Sequence, residues 1–249
     1  MEWGLPTLIV AKDVFLNKLQ KGEVYLKNCL YYQQMEYDEQ RGDKYDSGIP
    51  SKLFSFKDVT NGRITIPSAY IKSFFQYKPQ NVKMLSETQL AFYIPDNSAK
   101  SLKKLSETTE GNALLIWDTK EFISRFVKKC DELNMKYCFS PVEYVDDSQY
   151  ADCEEMLIQG INEQRDCVLN PVFIKRKSYE PQQEFRIAVV FPEKMSQYEP
   201  AHSFSCDEIN RLKNDSVTIQ IEPICDISTI TNLQEIIDEP YILSCSKDD

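Results

Sequence analysis

From Gln182 to Phe191 the chain reads Gln-Gln-Glu-Phe-Arg-Ile-Ala-Val-Val-Phe, a pattern that fits an extended strand. Phe185, Ile187, Val189 and Phe191 fall on one side and must face a core. Gln182, Glu184, Arg186 and Ala188 fall on the other side, which is polar at first and small or apolar afterwards. That side is expected to open onto a cleft at the start of the strand.

The clearest helix is expected over residues 119–133. Phe122, Ile123, Phe126, Val127, Cys130 and Leu133 form a stripe at helical spacing, and Asp118 with Glu121 matches a capping box. A shorter helix is expected over 13–21, with Phe15, Leu16 and Leu19 on one side and Gly22 as its stop, followed by a strand at Val24-Tyr25-Leu26. Asn28 is placed to cap a helix carrying Tyr31, Tyr32 and Met35, which runs into a charged loop over 39–48. Two short strands around the turn dipeptide Asn61-Gly62 are expected in 54–66. Buried strands follow at 90–94 and 113–117, with a loop or weak helix over 97–112 between them. A strand pair at 137–145, a helix near 151–165 and a strand at 172–174 lead up to the alternating strand. Beyond it, Val217, Ile219 and Ile221 alternate, and a short helix covers 233–237.

Hairpins and helices mix here without regular βαβ repetition. The expected class is therefore α+β, with a mixed, mainly antiparallel sheet and flanking helices. No internal repeat or low-complexity linker divides the 249 residues, so 1–249 reads as a single domain, with 200–249 as a candidate semi-detached tail.

Composition bounds the function. A net charge of -10 argues against a large basic footprint for duplex nucleic acid, yet it allows a nucleotide pocket or an acidic surface that blocks a basic partner. No apolar run approaches the roughly 20 residues that cross a bilayer, and the first residues lack the basic and apolar regions of a secretion signal, so a cytoplasmic protein with no membrane partner is expected. Eight cysteines without a C-x-x-C pair suit reduced, structural thiols, and with His202 as the sole histidine no metal site is expected. His202 reads as a solvated loop residue. Asp146-Asp147 and Glu154-Glu155 read as a strand end and a solvated helix face. Walker-type phosphate loops, G-x-G-x-x-G turns, G-x-S-x-G elbows and kinase signatures are all missing.

Two readings of Glu184 remain. In the first, it pairs with Lys175 or Arg176 from the preceding strand and closes a half-exposed strand end. In the second, a carboxylate fixed on a rigid strand stabilises positive charge developing at a sugar carbon, while the Gln182 amide orients an attacking group. This Gln-x-Glu arrangement is similar to the active strand of ADP-ribosyltransferases, in which the glutamate engages the nicotinamide ribose of NAD. A broader resemblance runs through Gly22-Glu23-Val24-Tyr25-Leu26-Lys27, Ala113-Leu114-Leu115-Ile116-Trp117-Asp118, Pro141-Val142-Glu143-Tyr144-Val145-Asp146, Phe173-Ile174-Lys175 and Glu184-Phe185-Arg186-Ile187. That order resembles an uncharacterised bacterial and phage family with a late Lys…Glu-Phe-Arg strand, itself similar to ADP-ribosyltransferases. The chain departs from the transferase pattern on the first strand, which carries Tyr25 and Lys27 in place of an Arg or His, and it has no Ser-Thr-Ser strand.

The resemblance implies NAD as substrate, Glu184 and Gln182 as catalytic residues, and a protein or nucleic-acid acceptor. It implies Arg41 at the pyrophosphate, with Asp43, Tyr32 and Arg186 as further cofactor contacts. Either Tyr31 or Tyr32 is suited to stack on a ring, because adjacent helical residues point about 100° apart. The alternative is a non-catalytic phage or bacterial inhibitor or sensor that recognises a nucleotide or a protein partner.

Overall fold

The computed structural model describes residues 4–34, 48–50, 63–65, 69–146, 149, 172–190, 207, 211–212 and 214–244. Their fold is α+β, built on a large antiparallel sheet flanked by helices. The expected turn at Asn61-Gly62, the helix near 151–165, Phe191 and His202 lie outside the described residues.

The sheet is organised by one strand, β5 (Tyr70–Gln76). Along one edge it pairs antiparallel with β12 (Glu184–Val190), from Glu184 opposite Phe75 to Val189 opposite Tyr70. Its other edge is shared. β1 (Thr7–Val10) takes the end of β5 at Phe75 and Gln76, and β2 (Glu23–Asn28) takes its beginning at Tyr70 and Ile71. Lys72, Ser73 and Phe74 pair with neither strand on that edge, so the sheet forks there.

Each branch of the fork continues. β13 (Ser216–Gln220) pairs with β2, while β8 (Asn112–Ile116) and then β14 (Ser228–Asn232) extend the β1 branch. On the far side of β12 lies β9 (Lys136–Pro141). The chain after Pro200 thus supplies a strand to each branch. Smaller pairings surround this sheet. β3 (Gly48–Pro50) pairs with β4 (Arg63–Thr65), and β6 (Val82–Ser86) with β7 (Gln89–Phe92). β10 (Glu143–Val145) runs parallel to β11 (Ile174–Arg176), and β15 (Tyr241–Ser244) pairs with β7.

The two faces of the large sheet are covered differently. On one, α1 (Asp13–Gln20) and α4 (Thr119–Glu132) bury Leu16, Leu19, Phe122, Ile123, Phe126 and Cys130 in one continuous core. That core includes Phe185, Ile187 and Val189, the apolar side of the alternating strand. The capping box of α4 forms as its residues dictate, with Asp118 accepting from the Glu121 backbone N–H at 2.9 Å. Phe15, expected beside Leu16 and Leu19, instead stands exposed, because it lies one step round the helix from Leu16.

The opposite face carries two separate clusters. α3 (Asp96–Ser106), α5 (Leu233–Asp238) and the small sheet cover β1 and β8 with Leu102, Leu233, Ile236 and Phe92. α2 (Cys29–Gln34) covers β5 and β12 with Cys29 and Leu30. Asn28 caps α2 by accepting from the Leu30 backbone N–H at 3.0 Å. No helix among the described residues is long and apolar enough to cross a membrane.

Gly22 fixes the turn from α1 into β2 with φ +91°, a left-handed conformation that disfavours a side chain. A Cβ there would also overlap the carbonyl oxygen of Ile221. Gly22→Ala is therefore expected to destabilise the protein by about 1–3 kcal/mol, measured by urea unfolding. Wild-type stability in that variant would contradict the assigned turn.

Candidate functional site

The start of β12 is not the continuous strand that the alternation suggested. Residues Lys177–Gln182 form a 3-10 turn containing Pro181, and Gln183 follows in the left-handed region at φ 43° and ψ 51°. The strand begins at Glu184, so Gln182 reaches the site from a turn rather than along a pleated face. Gln183 N–H closes the turn on the Glu180 carbonyl at 3.0 Å, and its own carbonyl accepts from Gln76 at 2.8 Å. A residue inserted this way resets the alternation, which the hydrophobic pattern from Phe185 onward does not register.

Glu184 nevertheless sits where a functional carboxylate is expected. Its Oε1 accepts from Lys175 Nζ at 2.6 Å, and its Oε2 accepts from Arg186 Nε at 2.8 Å and lies 2.7 Å from Arg186 Nη2. Lys175 also donates to Gln182 Oε1 at 2.6 Å and lies 4.9 Å from the centre of the Tyr179 ring. Arg186 Nη1 donates to the Val172 carbonyl at 2.7 Å. The Tyr144 hydroxyl accepts from the Glu184 backbone N–H at 2.8 Å. Both cations are almost wholly buried, whereas Glu184 keeps 11% of its side chain exposed.

Burial alone would raise the pKa of Glu184. The Arg186 charge, then the Lys175 charge and the hydrogen bonds from both, overcome that penalty and hold it at about 2, against 4.5 for an ordinary glutamate. A carboxylate this acidic stays ionised at neutral pH, so its natural role is fixed charge and hydrogen-bond acceptor rather than proton carrier. An ionised carboxylate has about four acceptor positions, so the bonds from Lys175 and Arg186 leave it able to accept another.

This cluster forms part of the wall of a cavity of about 730 Å³. The cavity lies at the fork of the sheet and draws its lining from both faces, with Leu19 and Phe74 of the continuous core beside Leu8, Phe75 and Leu102 of the opposite face. Its lining includes Lys72, Ser73, Tyr31, Tyr32, Gln182 and Glu184. The two tyrosines meet edge to face with ring centres 5.5 Å apart. Lys27 Nζ lies 4.7 Å from the Tyr31 ring centre, and Tyr32 packs on the cluster beneath α2.

The structure thus brings Gln182, Glu184, Arg186 and Tyr32 to one cavity. Arg41 and Asp43 lie outside the described residues. Arg186 turns its guanidinium to Glu184 and the Val172 carbonyl, so its observed bonds are those of a clamp behind the carboxylate. Lys175, considered only as an ion-pair partner, is an integral member of the cluster. Its signal in the sequence is a lysine on the apolar run Val172-Phe173-Ile174. Lys72 and Ser73 went unnoticed because their strand shows no clean alternation. No group of three or more histidine, cysteine, aspartate or glutamate side chains among the described residues is arranged to hold a metal ion. Comparison with family models, curated proteins and solved structures gives no match to this chain.

Replacing Glu184 removes the carboxylate that two buried cations share. Glu184→Gln is expected to cost about 3 kcal/mol at pH 7. Because the folded pKa is depressed, the contribution of the carboxylate is complete above pH 4.5 and is lost as pH falls toward 2. Urea unfolding of both proteins across that range should show the difference shrinking with acidification. A constant difference would refute the ion-pair account.

Proposed function

We propose that the protein is an NAD-dependent ADP-ribosyltransferase working in its cavity, in the setting of a toxin, phage effector or defence protein. The observation that carries this reading is Glu184, held ionised by two cations, on the wall of a ligand-sized cavity. Such a carboxylate can accept a hydrogen bond from a ribose hydroxyl. It can also place negative charge beside the ribose carbon as the bond to nicotinamide breaks and its electron pair leaves with the ring. Gln182, joined to the same lysine, would position the acceptor, whose lone pair forms the new bond as it loses a proton. Tyr31 and Tyr32 offer aromatic surface for a ring. The volume falls within the roughly 300–1,000 Å³ of small-molecule sites.

A second reading is favoured by one specific observation. Glu184 is flanked by two cations, Lys175 and Arg186, an environment that suits a bound phosphate more than a developing sugar cation. On that reading the chain binds a nucleotide without transforming it, as an inhibitor or sensor would.

The two readings separate on incubation with NAD. Catalysis predicts release of nicotinamide, detected by chromatography, and a loss of about 100-fold or more in Glu184→Gln, with circular dichroism confirming that the variant is folded. Saturable NAD binding without release, equal in both proteins, would overturn catalysis and select the second reading.

A further inference from the structure

We propose that the fork between β1 and β2 holds an anion site for a phosphate-bearing ligand, with the Lys72 ammonium as its counter-charge. The inference deepens the nucleotide reading and rests on it for the identity of the ligand.

The argument begins with the pairing of β5. Lys72 stands opposite Ile187 of β12, while on its other edge neither β1 nor β2 reaches it. Its neighbours in the alternation, Tyr70 and Phe74, are buried in the continuous core beneath α1 and α4. A lysine in that row would ordinarily be an apolar residue. It is tolerated because the fork gives it an opening, and Lys72 lines the cavity there.

Lys72 is half-buried, and among the described residues it has neither a hydrogen bond nor an ion pair. The described lining of the cavity holds two carboxylates, and both are engaged elsewhere. Glu23 lies 3.6 Å from Lys18, and Glu184 is held by Lys175 and Arg186. Against these two stand five basic side chains, Lys12, Lys18, Lys72, Lys175 and Arg186, in a chain whose net charge is -10. Among the described residues basic side chains thus outnumber acidic ones in the lining, and Lys72 is a half-buried cation there with no anion beside it.

Desolvation pushes the Lys72 amine down to about 8, so at neutral pH it stays mostly protonated at a cost to the fold. A phosphate oxygen in the fork would relieve that cost and gain a charge-assisted hydrogen bond. Ser73, on the same unpaired stretch of β5, adds a hydroxyl to the wall.

Inorganic pyrophosphate is the probe, titrated calorimetrically at low salt. Wild type and Lys72→Arg should bind with affinities within about threefold of each other, and Lys72→Met should bind about tenfold or more weakly. Lys83→Met, on exposed β6, serves as the control and should match wild type. Lys72→Met should also be at least as stable as wild type at pH 7, because it removes an uncompensated charge. Absence of pyrophosphate binding by wild type, or undiminished binding by Lys72→Met, would overturn the site. Nicotinamide release is read separately. Lys72-dependent pyrophosphate binding in a protein that releases no nicotinamide keeps the anion site and overturns the transferase.

Discussion

The structure around the cavity depends on the carboxylate of Glu184 being shared by Lys175 and Arg186. Three charges are withdrawn from water at the junction of β11, a 3-10 turn and β12, and Glu184 keeps its charge there through the two cations beside it. The depressed pKa of Glu184 shows which effect wins. Burial works against the charge, and two adjacent cations more than reverse it. Gln182 and the Val172 carbonyl accept further hydrogen bonds from the two cations, so the turn and strand are drawn to the same point. The result is a rigid carboxylate edge facing a cavity, with its position set before any ligand arrives.

The cavity has a separate origin in β5. One partner, β12, pairs with β5 without a break along one edge, while β1 and β2 divide the other. The face under α1 and α4 bridges this fork with a single core. On the opposite face the helices gather into two clusters, and the cavity at the fork is lined from both faces. Fork and ion cluster meet because Glu184 pairs with Phe75, the β5 residue that also pairs with β1. A proposed transferase site therefore rests on two separable features, one electrostatic and one topological.

Much of this was legible in the chain. The stripe of α4, the Gly22 stop, the Asn28 cap and the apolar side of β12 each follow from local patterning, and together they give the α+β class. The strand that organises the sheet was not legible. Tyr-Ile-Lys-Ser-Phe-Phe-Gln lacks alternation because both its faces are buried and its polar pair sits in the fork. The site was legible in part. Glu184 and Gln182 stood out by spacing, but the left-handed Gln183 breaks that spacing, and Gln182 arrives by a turn. Residues 97–112 read as loop or weak helix, yet α3 forms there. Ser98, Ala99 and Leu102 give it a buried face that outweighs its polar composition.

The most direct test of the account is a crystal structure of the protein with a non-hydrolysable NAD analogue. The account predicts the analogue in the forked cavity, with a hydroxyl of its nicotinamide ribose donating to Glu184 Oε1 and the Lys175 and Arg186 bonds intact. An analogue bound elsewhere, or bound in the cavity with its ribose turned away from Glu184, would contradict it.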